Sequence, residues 1–205
     1  EMQVPLVRLV DTAGGSVKLL EQQQSTKIPG YSAWPSISLL SRVPVVGVAL
    51  GACAGLGAIK VAASHFSVML RGASQVFAGG PPVVKQGIGV DIDKEALGGW
   101  EVHARQSGVV NNVADTEDDA FAQVRAFLSY MPSSVFETPP RAEPRPPAPG
   151  KVAWLDQAVP EDRRRIYDPR KILRAVFDEE SLFEISPLFG GSTIAMLARF
   201  EGQVV

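Results

Sequence analysis

The sequence predicts an α/β fold built on a mainly parallel sheet with both faces covered. Three observations predict it. Apolar runs of strand length, residues 4–10 and 43–50, end in glycine-rich breaks. Helical patterns alternate with those runs along the chain, as in parallel sheets joined by crossover helices. The runs themselves are apolar apart from Arg8, as expected of strands buried on both faces.

The first strand is placed at 4–10, Val-Pro-Leu-Val-Arg-Leu-Val, with Pro5 near its start, where a missing donor is tolerated. Asp11-Thr-Ala-Gly-Gly15 stops it sharply. Residues 22–36 are polar and read as a mobile stretch, with Pro29-Gly30 and Trp34-Pro35 as turn punctuation. A short helix is expected over 37–41 and the second strand over 43–50. A glycine-rich turn over 51–57 then opens a helix of small residues reaching about residue 63. Residues 65–70 read as a third strand and 75–78 as a short extended piece. Gly79-Gly-Pro-Pro82 starts a helix over 83–86, with proline in a tolerated first-turn position. Thr116-Glu-Asp-Asp opens an amphipathic helix carrying Ala120, Phe121, Val124, Phe127 and Leu128. Its threonine cap and acidic first turn both suit the helix dipole. The proline-rich run 139–150 reads as a stiff, exposed linker. Beyond it a helix is expected over 169–176 and a strand over 194–200. The sequence therefore divides into a domain over 1–138, the linker 139–150, and the start of a second domain over 151–205.

Composition narrows the function classes. The chain has 205 residues, 45% of them hydrophobic, enough for one domain or one domain plus part of another. Net charge is −2, so no nucleic-acid partner is expected. Arg163-Arg164-Arg165 follows Glu161-Asp162 and reads as a solvated helix start. Cys53 is the one cysteine, so no internal disulfide forms, and a reducing compartment fits. The apolar stretch 43–63 has the length of a membrane span but carries Pro44, four glycines and Lys60, so no membrane partner is expected. No secretory signal or transit peptide is visible at the start of the chain. The chain opens on Glu1 and breaks off at Val205 as a strand begins, so both ends read as cut.

The chemistry centres on the turn 51–57. It offers almost no side-chain function but bare N–H groups at a helix N-terminus, where a developing negative charge can be held. It is not a dinucleotide fingerprint, because Lys60 stands where a third glycine would follow Gly55 and Gly57. Nor is it a phosphate loop, because Ala58 and Ile59 precede that lysine. The bland alternative is a tight strand-to-helix turn that needs small residues for packing. The loop 11–15 ends a neighbouring strand, and ligands of parallel sheets sit beyond the carboxyl ends of strands. The two loops are thus expected to converge on one ligand carbonyl. Cys53 reads as a small buried hydrophobe, since only His65 and His103 are available as a base. Two histidines with no nearby cysteine or carboxylate cluster make no metal site. Lys85 and Arg105 read as surface charges or as neighbours of an anionic ligand.

These residues carry a resemblance. The segments Leu9–Gly15, Gly51–Gly57, Phe77-Ala-Gly-Gly-Pro-Pro-Val-Val-Lys85, Ala96-Leu-Gly-Gly99, His103 with Ser107-Gly108, and Tyr130-Met-Pro132 belong to it. Past the linker it continues through Tyr167-Asp-Pro-Arg-Lys-Ile, Ser181-Leu-Phe-Glu184 and Leu197-Ala-Arg-Phe-Glu-Gly202. In this set and order the chain resembles the carboxyltransferase (β) subunit of biotin-dependent acyl-CoA carboxylases of the propionyl-CoA and 3-methylcrotonyl-CoA type. The resemblance implies a crotonase (ClpP/crotonase-like) fold of repeated ββα units, here partial and followed by the start of a second crotonase-like domain. It implies that the first domain binds acyl-CoA and the second carboxybiotin, with the active site formed between subunits. Carboxybiotin releases CO2, its freed nitrogen takes the α-proton of the acyl-CoA, and the enolate attacks CO2.

On this resemblance the backbone amides of Gly55, Leu56 and Gly57 form the oxyanion hole, and Ala13, Gly14, Gly15 and Ala54 shape the acyl-CoA pocket. Biotin is then carried on a partner, a biotin carboxylase/biotin carboxyl carrier subunit, and no metal is bound by this chain. The implied assembly is a homo-oligomer, a dimer of carboxyltransferase subunits or a hexamer. The compartment is cytoplasmic in a bacterium and the mitochondrial matrix in a eukaryote. The sequence departs from the pattern at Leu56, which splits two glycines the family keeps adjacent, and at Lys60, in a stretch usually uncharged. Two alternatives stay open here: a truncated or divergent scaffold subunit, or another crotonase-superfamily acyl-CoA enzyme. The last would want glutamates near the glycine loops, and only Glu21 lies close to the first.

Overall fold

The computed structural model describes residues 2–14, 22, 37–148, 150, 152–162 and 164–205. Gly15, Glu21 and nearly all of the 22–36 stretch lie outside the described residues, as does Arg163. Among the described residues the largest sheet has five strands, all parallel: β1 (Leu6–Thr12), β2 (Val45–Ala54), β3 (Phe66–Leu70), β4 (Gln75–Phe77) and β5 (Asn112–Ala114). The order is β1-β2-β3-β5, and β4 pairs only with the end of β2. Strand β2 is therefore the hub. Its first half pairs with β3 and its second half with β4, while β1 runs along its other edge.

Each face of the sheet is covered by a helix whose apolar stripe the sequence dictates. Val46 and Val48 of β2 and Phe66 and Val68 of β3 pack against α4 (Glu117–Ser129) through Val124 and Phe127. The rings of Phe66 and Phe127 stack at 4.8 Å. On the opposite face Ala49, Cys53 and Met69 pack against Val61 of α1 (Leu56–Ala62). The expected Thr116 cap is present, its side chain accepting the Asp119 N–H at 3.1 Å. Arg8 reaches over from β1 to donate to the Lys60 and Ala63 carbonyls, closing the C-terminal end of α1.

Several expected boundaries shift, each for a tertiary reason. Strand β2 runs on to Ala54 instead of ending at Leu50, because Thr12 pairs with Cys53 and β4 pairs with Ala52–Ala54. Most of the expected turn 51–57 is thus strand. The helix expected over 83–86 is longer, α2 (Pro81–Ile88), ending on left-handed Gly89. The 37–41 helix is a single 3₁₀ turn, Ser38–Ser41. Other elements carried no clear pattern in the sequence, among them α3 (Lys94–Gly98), capped by Asp93, a π-helical turn, Glu101–Gln106, and strand β5.

After the linker come α5 (Pro169–Val176), β6 (Phe183–Ile185), β7 (Ala195–Leu197), β8 (Arg199–Phe200) and β9 (Gln203–Val204). The single strand expected over 194–200 is two short strands with Ala198 between them, in two antiparallel pairs, β6–β7 and β8–β9. Phe183 meets the Phe66 ring edge-on at 5.3 Å, and the Tyr130 hydroxyl donates to the Ser181 carbonyl at 2.7 Å. The linker is exposed, as its proline content predicts, but it is pinned. Ala142 N–H donates to the Gly202 carbonyl at 2.9 Å, and Arg199 donates to the Pro140 carbonyl at 2.9 Å.

Candidate active site

The carboxyl ends of β1 and β2 lie side by side, as the two glycine breaks predict. Their pairing slips between Val10 and Thr12, so that Val10 faces Ala49 but Thr12 faces Cys53. Two extra residues of β2 are accommodated in this bulge, which brings the strand ends into close contact. At Gly51 an added Cβ would lie 2.5 Å from the Asp11 carboxylate, and at Gly57 2.5 Å from Thr12 Cγ2. At Gly14 it would lie 3.1 Å from the Ala54 Cβ. Three of the glycines are thus demanded by the approach of one loop to the other. Gly14 has φ +81° and donates its N–H to Thr12 Oγ1 at 3.1 Å. Gly14 thus meets Ala54 directly, with Ala13 next to it in the chain, and Gly15 lies outside the described residues.

Gly55 makes the turn itself, with φ 58° and ψ −114°, a combination open to glycine. Its N–H donates to the Phe77 carbonyl at 3.0 Å. Of the three amides named from the sequence, that of Gly55 is committed to β4. Leu56 and Gly57 open α1, and the first N–H groups of a helix have no acceptor within it. The two remaining amides thus sit one and two residues beyond the turn. Gly57 is buried and the Leu56 side chain is half-buried.

The ionisable side chains singled out in the sequence are otherwise engaged. Cys53 is fully buried, and its thiol lies 3.2 Å from the Val10 carbonyl. Burial, reinforced by the Asp11 charge, pushes this thiol up from its ordinary 9 to about 11. It stays protonated and unreactive at neutral pH. His65 Nδ1 accepts the Val45 N–H at 3.0 Å, at the opposite end of β2 from the turn. His103 Nε2 lies 2.6 Å from the Val76 carbonyl, and its Nδ1 lies 3.2 Å from Ser107 Oγ. Lys85 pairs with Asp91 at 2.7 Å, and the Arg105 guanidinium lies over Trp100, 5.2 Å from the ring centroid. Among the described residues no group of three or more histidine, cysteine, aspartate or glutamate side chains is placed to hold a metal. No helix among them is long and apolar enough to cross a membrane. A polar cleft of about 250 Å³ lies elsewhere, lined by Tyr130, Arg145, Asp178 and Arg199 among others.

Thr12 and Phe77 stand in the motifs with no part of their own readable from the sequence, and His103 reads there only as a possible base for Cys53. Thr12 packs on Gly57, Phe77 takes the Gly55 amide, and His103 holds β4. The clue to the first was the small residue at 57, which implies a close neighbour. The others depend on the β2–β4 pairing, which no local pattern encodes.

Residues 1–205 match the carboxyl transferase domain over the whole chain. The chain belongs to that family. It is 32% identical over 205 residues to the carboxyltransferase subunit of propionyl-CoA carboxylase from Haloferax mediterranei, covering 100% of this chain and 39% of the relative. It is 29% identical over 207 residues to the alpha subunit of methylmalonyl-CoA decarboxylase from Veillonella parvula, covering 100% and 40%. Among solved structures it superposes on transcarboxylase 12S, a hexamer solved with methylmalonyl-CoA and methylmalonic acid bound, with TM-score 0.86 and 26% identity over 99% of this chain and 39% of that one. The chain thus spans about two fifths of the length of the relatives it matches. The expected α/β fold of the carboxyltransferase, crotonase-like type is the fold found.

Proposed function

We propose that this chain is part of the carboxyltransferase component of a biotin-dependent acyl-CoA carboxylase, and that the turn at Gly55 holds the enolate oxygen of the acyl-CoA. The carboxyl group goes to the α carbon, or to the vinylogous γ carbon of an unsaturated acyl group. The observation that carries the reading is the match of the whole chain to the carboxyl transferase domain, together with two helix-opening amides at the meeting point of two glycine loops. The Leu56 and Gly57 N–H groups would donate to the enolate oxygen, with Ala13, Gly14, Gly15 and Ala54 shaping the acyl-CoA pocket. Each such donor contributes about 2.7–4 kcal/mol to a developing oxyanion. Biotin, carried on a partner subunit, supplies the activated CO2 and a basic nitrogen. The engagement of His65, His103 and Cys53 with backbone groups agrees with a proton step that needs no side-chain base.

Within this reading, 1–138 is the later part of the acyl-CoA domain, 139–150 its linker, and 151–205 the opening of the carboxybiotin domain. The complete subunit would form a homo-oligomer and receive biotin from a biotin carboxylase or carrier partner. The test is the reverse reaction, transfer of the carboxyl group from methylmalonyl-CoA or malonyl-CoA to a free biotin ester by the complete subunit. Biotin-dependent decarboxylation is expected. L56P removes one amide at a helix position where proline is tolerated, and should lower kcat about 10²–10³-fold with the fold retained. Full activity of a folded L56P subunit would reject the assignment of the Leu56 amide.

A further inference from the structure

We infer that His103 is a positioning residue for the Gly55 turn, acting through the short strand β4; the inference rests on the reading of that turn as the oxyanion site. Strand β4 is only three residues long and pairs on one edge with the end of β2. Successive residues of a strand direct their backbone groups to opposite edges. The Phe77 carbonyl faces β2 and takes the Gly55 N–H at 3.0 Å. The Val76 carbonyl therefore faces the other edge, where β4 has no neighbouring strand among the described residues. His103 Nε2 meets it there at 2.6 Å.

A carbonyl accepts only, so Nε2 carries the proton, and Nδ1 is left to accept from the Ser107 hydroxyl at 3.2 Å. His103 thus takes the place of a missing strand for one buried carbonyl. The same edge is held at two other points. The Gln75 side-chain amide, fully buried, donates to Glu95 of α3, and Gly98 of α3 packs so tightly that a Cβ would lie 2.2 Å from the Val76 carbonyl. The imidazole, Val76, Phe77 and Gly55 form one bonded sequence, two hydrogen bonds and two residues long, ending at the turn that aims the Leu56 and Gly57 amides. If β4 loosens, Gly55 loses its fixed acceptor and the amides lose their aim. Misplacement by about 1 Å costs on the order of 10²-fold in rate.

The experiment uses the complete carboxylase complex and measures kcat and KM for acyl-CoA per folded complex. H103F keeps the ring but has no donor; H103Q keeps a side-chain N–H of similar reach. F127L, in the core against the other sheet face, controls for general loss of stability. H103F is expected to lose roughly 10- to 100-fold in kcat with KM changed by less than about threefold. H103Q is expected to recover most of that loss, and F127L to keep wild-type kcat per folded complex at a comparable fall in melting temperature. Wild-type kcat in H103F, or equal losses in H103F and F127L, would overturn the inference alone. Absence of carboxylation by the wild-type complex with every acyl-CoA would overturn the functional reading and this inference with it.

Discussion

Replacing Gly57 by alanine tests the contact on which the site is built. The new methyl would lie 2.5 Å from Thr12 Cγ2 and 3.4 Å from Val10 Cγ1. Carbon atoms in contact prefer about 3.5–4.0 Å, so the first distance is short by about 1 Å or more. Thr12 can escape by turning about χ1, but that gives up its bond from the Gly14 N–H at 3.1 Å. Losing that bond costs about 0.5–1.5 kcal/mol, and pushing the strand ends apart instead costs about 1–3 kcal/mol. Alanine returns up to about 1 kcal/mol through helix propensity. Because the cheaper route governs, the net expectation is a destabilisation of up to about 1.5 kcal/mol, or a melting temperature lower by up to about 6 °C. The carboxylation rate should fall as well, because Gly57 carries one of the two site amides. T12S removes Cγ2 and keeps the hydroxyl, so the T12S/G57A pair should recover most of both losses in a double-mutant cycle. Thermal unfolding and steady-state kinetics on the same preparations are the assay. If G57A equals wild type in both stability and rate, or if T12S gives no recovery, the two loops do not meet as described.

Three further outcomes follow from the structure. The Cys53 thiol is raised from 9 to about 11, so the native protein should resist alkylation at pH 8, and C53A should change kcat less than about twofold; rapid labelling at that pH would contradict its burial. A thiol raised on folding contributes stability that is complete below pH 9 and is lost as pH climbs toward 11, so wild type should lose roughly 2–3 kcal/mol more than C53A over that window, and parallel pH profiles would contradict it. The buried Asp178 carboxylate accepts the N–H groups of Glu201 and Gly202, so D178A should cost about 2–3 kcal/mol in unfolding free energy and free the linker contact at Ala142, read as faster amide exchange there; unchanged exchange would contradict the pinning.

The legible parts of this protein are those with local causes. The Thr116 cap, the acidic first turn and the apolar stripe of α4 were readable because each is written within a dozen residues. The succession from β2 through a glycine turn to α1 was readable for the same reason, as was the meeting of the two glycine loops, since parallel neighbours end on the same side. The end of β2 was not, because Gly51–Ala54 looks like turn sequence and is held extended by Thr12 on one edge and β4 on the other. The same long-range pairing hid the commitment of the Gly55 amide to Phe77 and the work of His103 at Val76. The pinned linker was hidden too, since prolines announce stiffness but not the Gly202 carbonyl that Ala142 meets.

We propose that this chain serves the transfer of CO2 onto an acyl-CoA. The most direct test of this proposal is incorporation of labelled bicarbonate into a panel of acyl-CoAs by the complete complex, with ATP and biotinylated carrier present. Acid-stable label on the acyl-CoA is expected, dependent on biotin and lower by about 10²–10³-fold in L56P. No incorporation with any acyl-CoA, from a complex that carboxylates its own biotin, would contradict it.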